Sequence, residues 1–155
     1  MLPLPCRDTV SAFVFAIAVA TLLIANARAQ GSAATIWDGV YTAQQAERGR
    51  DSYTRACSGC HRGDLSGSDD GAPALRGAVF TNRWKDRPLS EMYLVIAETM
   101  PEDAPASLKG AEYADIMAFL LKSNDIPAGA AELPSDSAGL KRILFIARTG
   151  SGRIN

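Results

Sequence analysis

The sequence predicts an all-α domain, on three observations. Apolar side chains recur at helical spacing in two stretches, residues 89–98 and 110–122. A third stretch opens with Thr42 and Gln45 as T-x-x-Q, the pattern of a capping box. Between these stretches lie the Gly, Asp, Asn and Pro residues that interrupt regular structure.

With 155 residues the chain is long enough for one domain and hardly for two. Its 16 basic and 17 acidic side chains nearly cancel, which argues against nucleic-acid binding. At the N-terminus, no charge follows Arg7 and Asp8 until Arg28, and residues 10–24 are apolar. Ala27, Arg28 and Ala29 then form an A-x-A cleavage site, with Ala25, Asn26 and Ala27 as the alternative. Residues 1–29 are therefore read as a cleaved secretory signal and the product as exported to the periplasm. The rival reading is a retained membrane anchor, because residues 9–27 approach the ~20 residues that span a bilayer. Cys6 precedes the apolar core and is badly placed for a lipid anchor.

Export implies an oxidising compartment, where two cysteines ordinarily suggest a disulfide. Here they are Cys57 and Cys60, followed at once by His61. The order Cys57-Ser58-Gly59-Cys60-His61 is C-x-x-C-H, the attachment sequence for c-type haem. Two thiols one helical turn apart match the two porphyrin vinyl groups, and the next imidazole becomes the proximal iron ligand. The chain has 3 cysteines and 1 histidine, so shuffling its composition gives this arrangement about once in 4,000. Three other readings compete. A thioredoxin-like site needs a strand before the motif, zinc needs a fourth ligand, and a plain disulfide leaves His61 without a role.

No second histidine exists, so a sixth iron ligand has to be a thioether from Met92, Met100 or Met117. Met92 and Met117 fall within apolar helical stripes and read as core. Met100 precedes Pro101, where a helix stops and a loop can present the side chain, and it is the chosen ligand.

The first helix runs from residue 42 to the motif, with Ala46, Gly49, Tyr53 and Ala56 on one face. A mid-helix glycine costs about 0.5–1 kcal/mol relative to alanine, so Gly49 suggests that another backbone comes close. Residues 62–83 carry too many breakers for regular structure and are expected to wrap a cofactor edge. In the third helix Tyr113, Ile116, Met117 and Leu120 form the stripe, and Asn124 and Pro127 end it. Beyond residue 126 the chain is expected to be loop until Ser137; then either Leu140, Ile143, Leu144 and Ala147 make one short packed helix or residues 142–148 form a strand, the two being equal alternatives. The expected organisation is thus a signal at 1–29, a haem domain at 30–126 and an extension at 127–155. Three helices make a thin core, which a covalent porphyrin would complete.

With these pieces in place, residues 40–125 resemble class I monohaem cytochromes c. The resemblance implies three main helices and long loops around one haem c, bonded to Cys57 and Cys60 and ligated by His61 and Met100. It further implies that Gly49 and Tyr53 face Tyr113 and Ile116 or Met117. Pro73 would accept a hydrogen bond from the proximal imidazole. Trp84 would bond a haem propionate, or else serve as a core aromatic. More narrowly, residues 36–42, the run from Met100 to Pro105, and Glu132 to Pro134 are similar to small bacterial cytochromes that accompany quinoprotein (PQQ-dependent) dehydrogenases. That implies redox protein partners: a dehydrogenase as donor and a terminal oxidase or other cytochrome as acceptor. The function implied is one-electron transfer with no substrate transformed. The alternatives are a haem enzyme or gas sensor with an open distal position, and a tightly bound haem subunit of a dehydrogenase complex. The basic residues Arg83, Lys85 and Arg87 lie near Trp84, where they steer an acidic partner or simply form solvated surface.

Overall fold

Thr42 caps a 14-residue helix, and its hydroxyl accepts from the Gln45 amide at 3.1 Å. The other half of the expected capping box does not form. The Gln45 amide group is buried and turns away, donating to Leu133 O at 3.1 Å and accepting from Leu133 N at 2.7 Å. A distant backbone with unpaired groups outcompetes the local cap. This is a computed structural model, which describes residues 33–147. The expected signal at 1–29, with its cleavage sites and Cys6, lies outside the described residues. Among those described, no helix is long and apolar enough to cross a membrane.

Six helices follow in order: α1 (Ala43–Ala56), α2 (Ser58–His61), α3 (Gly77–Trp84), α4 (Leu89–Thr99), α5 (Gly110–Ser123) and α6 (Ser137–Leu140). Three short strands, β1 (Ala34–Thr35), β2 (Arg87–Pro88) and β3 (Ile143–Phe145), add a small sheet in the order β1-β3-β2. β3 runs parallel to β1, pairing Ala34 with Ile143, and antiparallel to β2, pairing Arg87 with Phe145. The fold is mainly helical, as expected.

α1 and α5 cross with their backbones in contact. A Cβ built on Gly49 would lie 1.8 Å from Asp115 O and 2.4 Å from the Asp115 carbonyl carbon. Only the missing side chain permits that approach, so the crossing outweighs the helix-propensity cost of glycine. The facing partners agree with expectation at Ile116 and differ at the tyrosines. Gly49 meets Asp115 and Ile116, Tyr53 packs on Phe119 with ring centroids 5.2 Å apart, and Tyr113 turns toward Met100. One edge of the crossing is tied by the Arg48 guanidinium, which donates to both oxygens of Asp115 at 2.9 and 3.0 Å and to Glu132 at 2.9 Å.

Two corrections concern segments read as irregular. α3 forms inside the stretch judged too rich in breakers, because Phe80 and Trp84, four residues apart, bury together. The Phe80 ring meets Phe145 edge-on at 5.7 Å, and the Asn124 side chain accepts from the Gly77 amide at 2.8 Å. Residues 127–147, read as an extension, are built into the same unit. Leu133, Leu140, Ile143 and Phe145 are all buried in the core. Trp37 Nε1 donates to Ile146 O at 2.7 Å, closing the tail over the N-terminal 3₁₀ turn (Ile36–Asp38). In that tail α6 ends at Leu140 and Ile143–Phe145 form β3, so Ile143 and Leu144 lie on a strand and not on the expected helix. The core is therefore thicker than three helices alone provide.

Gly49→Ala is expected to destabilise the protein by about 3 kcal/mol or more, as overpacking of backbone against backbone. Urea unfolding checks this; a change within ~0.5 kcal/mol would mean that the helices separate at little cost.

Candidate haem site

α1 ends directly at the motif. Its last turn passes the chain to Cys57, whose amide donates to Tyr53 O at 2.8 Å, and α2 carries Cys60 and His61 around one further turn. A helix, not a strand, precedes the two cysteines, which removes the context of a thioredoxin-like dithiol. Cys57 and Cys60 form no disulfide. Burial pushes the Cys57 thiol up to about 11, away from the lowered range of a reactive thiolate. Among the described residues no three His, Cys, Asp or Glu side chains cluster as a metal cage.

His61 is buried, only 8% exposed. Its Nδ1 lies 2.9 Å from the carbonyl of Pro73. A carbonyl only accepts, so Nδ1 carries the proton and a neutral ring keeps its lone pair on Nε2. No protein group bonds Nε2, yet no buried side-chain nitrogen or oxygen among the described residues lacks a partner. Nε2 is therefore the part of the ring that reaches an opening.

The loop that brings Pro73 to His61 is bonded rung by rung. Gly67 N donates to His61 O at 3.1 Å, Ser68 N to Ala72 O at 2.9 Å, and Leu75 N to Leu65 O at 2.9 Å. Gly67 has φ +78°, and a Cβ there would sit 2.4 Å from Ala72 O and 2.7 Å from Ala74 N. Larger residues would force the Pro73 segment away from the ring. Two side chains brace the loop from outside. Tyr53 donates to Arg62 O at 2.7 Å, and Asn124 donates to Leu75 O at 3.0 Å while holding the Gly77 amide. Sequence reasoning missed Gly67 and Asn124. The one available signal was a glycine midway between the motif and Pro73.

The three methionines separate by burial. Met92 and Met117 are fully buried in the core, whereas Met100 caps α4 and stays partly exposed. Leu94, on the same helix, is 40% exposed, with Val95 and Ile96 half-buried beside it. Trp84 is buried, with the Arg83 guanidinium 5.2 Å from its ring centroid. Among the described residues its indole N–H bonds no protein group and is not sealed off either, since no buried polar side-chain atom among them is left without a partner. Arg87 pairs with Glu91 at 3.3 Å. A separate surface cleft of about 510 Å³, lined by Arg50, Tyr53, Leu65, Arg76 and Phe119, contains neither motif cysteine nor His61.

These residues fit a haem. The motif holds two unpaired thiols, a fixed imidazole tautomer presents a lone pair, and apolar surface on α4 leads to a methionine. Fold and site together define a cytochrome c domain, the kind that carries electrons on haem c. Residues 44–120 match the family described as Cytochrome C oxidase, cbb3-type, subunit III, which supports a monohaem cytochrome c. Searches of curated proteins and of solved structures found no match.

Burial raises the Tyr53 phenol well above its ordinary value near 10. Below pH 10 both the folded and the unfolded phenol are protonated. Above it the unfolded chain ionises first, so stability falls as pH rises. Tyr53→Phe is expected to cost about 1 kcal/mol at pH 7 and to reduce the loss of stability between pH 10 and 11. Denaturant unfolding at the three pH values checks both.

Proposed function

We propose that the chain is a periplasmic one-electron carrier with a single haem c, bonded through Cys57 and Cys60 and ligated by His61 and Met100. The observation that carries this reading is the His61 ring, held at 2.9 Å by Pro73 with Nε2 left to an opening, inside a C-x-x-C-H. A bound haem would supply reversible exchange of one electron between ferric and ferrous iron.

The chain's own residues bind and tune it. The Nδ1–H bond to Pro73 fixes the ring plane and makes Nε2 more basic. The Met100 thioether favours the ferrous state and raises the potential. Trp84 offers its indole N–H to a propionate. Cys60 is exposed, so the thioether edge it carries would lie at the surface where a partner reaches it. Export is supported by residues 1–29 and by the covalent attachment of haem outside the cytoplasm in bacteria.

Redox proteins are the proposed partners. The matched family's description names an oxidase subunit, and the sequence resembles companions of quinoprotein dehydrogenases. A dehydrogenase as donor and a respiratory oxidase or another cytochrome as acceptor accommodate both. Peroxidase chemistry generally needs a distal acid–base group, and His61 is the chain's sole histidine.

The test is an absorption spectrum of the protein made in cells that mature c-type haem. A haem that survives denaturation, with the weak far-red ferric band of Met–sulfur ligation, is the expected result. A covalent but high-spin haem that binds carbon monoxide readily would favour a sensor or enzyme. No covalent haem at all would remove the proposal. Met100→Ala is expected to abolish the far-red band and to lower the potential by on the order of 100 mV, within the ~0.8 V that axial ligands span. His61→Ala is expected to yield no low-spin haem, and a normal spectrum from that variant would refute the ligand assignment.

A further inference from the structure

Met100 is held through its backbone from both sides. Its amide donates to Ile96 O at 3.0 Å, closing the last turn of α4. Its carbonyl accepts from the Tyr113 hydroxyl at 2.8 Å. Tyr113 stands in the first turn of α5 and is 3% exposed. Its oxygen also accepts from the Leu108 amide at 3.4 Å, so one hydroxyl touches both ends of the loop between α4 and α5. Residues 102–107, within that loop, are exposed. After a turn in which the Ala104 amide donates to Pro101 O at 3.0 Å, the loop meets the core again at Leu108.

We infer that Tyr113 is a positioning residue for the sixth ligand: its hydroxyl anchors the Met100 carbonyl to α5 and so keeps the thioether against the iron. The inference rests on the reading of Met100 as that ligand. Because α5 is locked to α1 at Gly49, and α1 leads directly into the motif, the bond links the two axial ligands through one helix pair. Losing the hydroxyl leaves the Met100 carbonyl to water and lets the loop leave more readily. A net hydrogen bond of ordinary strength corresponds to roughly a 3- to 10-fold change in the ligand equilibrium.

The experiment is an imidazole titration of the ferric holoprotein, followed by loss of the far-red band, on wild type, Tyr113→Phe, Tyr93→Phe and Met100→Ala. Imidazole competes with the Met100 sulfur for the sixth position, so a loosened loop shows as tighter imidazole binding. Tyr93 is the control. It meets Tyr113 edge-on at 6.4 Å, but its hydroxyl donates to Ser135 O at 3.0 Å in the tail and not to Met100. Roughly 3- to 10-fold tighter binding in Tyr113→Phe, with Tyr93→Phe at the wild-type value, is the expected result. Binding in Tyr113→Phe equal to wild type, or an equal shift in both tyrosine variants, would overturn the inference. If wild type and Met100→Ala bind imidazole alike (followed in the Soret region), Met100 is not the ligand, and the inference falls with that assignment.

Discussion

The contact between Gly49 and the backbone of Asp115 and Ile116 governs the arrangement of everything else. Two helices that touch backbone to backbone have almost no freedom to slide or rotate, since any side chain at the crossing would separate them. α1 delivers the C-x-x-C-H at its C-terminus, and α5 delivers Tyr113 at its start and Asn124 at its end. The segments that carry His61 and Met100 are therefore referenced to one helix pair. Tyr53 and Phe119 extend the crossing by a turn, and the Tyr53 hydroxyl reaches the residue after His61.

On that base the site is organised by polar bonds to backbone carbonyls. Pro73 O takes the imidazole proton, Leu75 O the Asn124 amide, Arg62 O the Tyr53 hydroxyl, and Met100 O the Tyr113 hydroxyl. The loops' own backbone bonds leave some carbonyls over, and buried or half-buried carbonyls need partners. Side chains on α1, α2 and α5 provide them, and in doing so they fix the loops. The tail follows the same logic: Gln45 bonds both backbone groups of Leu133, and Trp37 bonds the Ile146 carbonyl.

Much of this was legible in the residues. The three long helices carry helical periodicity, Gly49 stands out because mid-helix glycine is costly, and Met100 before Pro101 marks a helix end. α3 was hidden, because the pair Phe80 and Trp84 is outweighed locally by the glycines and aspartates before it. Its stability comes from Phe145, far along the chain. Tyr113 read as one more member of an apolar stripe, since nothing local says where a phenol oxygen will point. The place of Gln45 and the tail was equally unreadable. A capping box is a short-range pattern, and the partner that displaced it lies 88 residues away.

The sequence by itself determined the chemistry and the helices: which thiols and imidazole stand one turn apart, which stretches bury a stripe, and which methionine falls in a loop. Those properties depend on neighbours within a few residues, where covalent geometry and helical spacing fix distances. Tertiary structure alone decided the clamp on Met100 and the incorporation of residues 127–147. Each depends on a backbone carbonyl meeting a side chain from another element, and such meetings are set by how helices pack, not by local order.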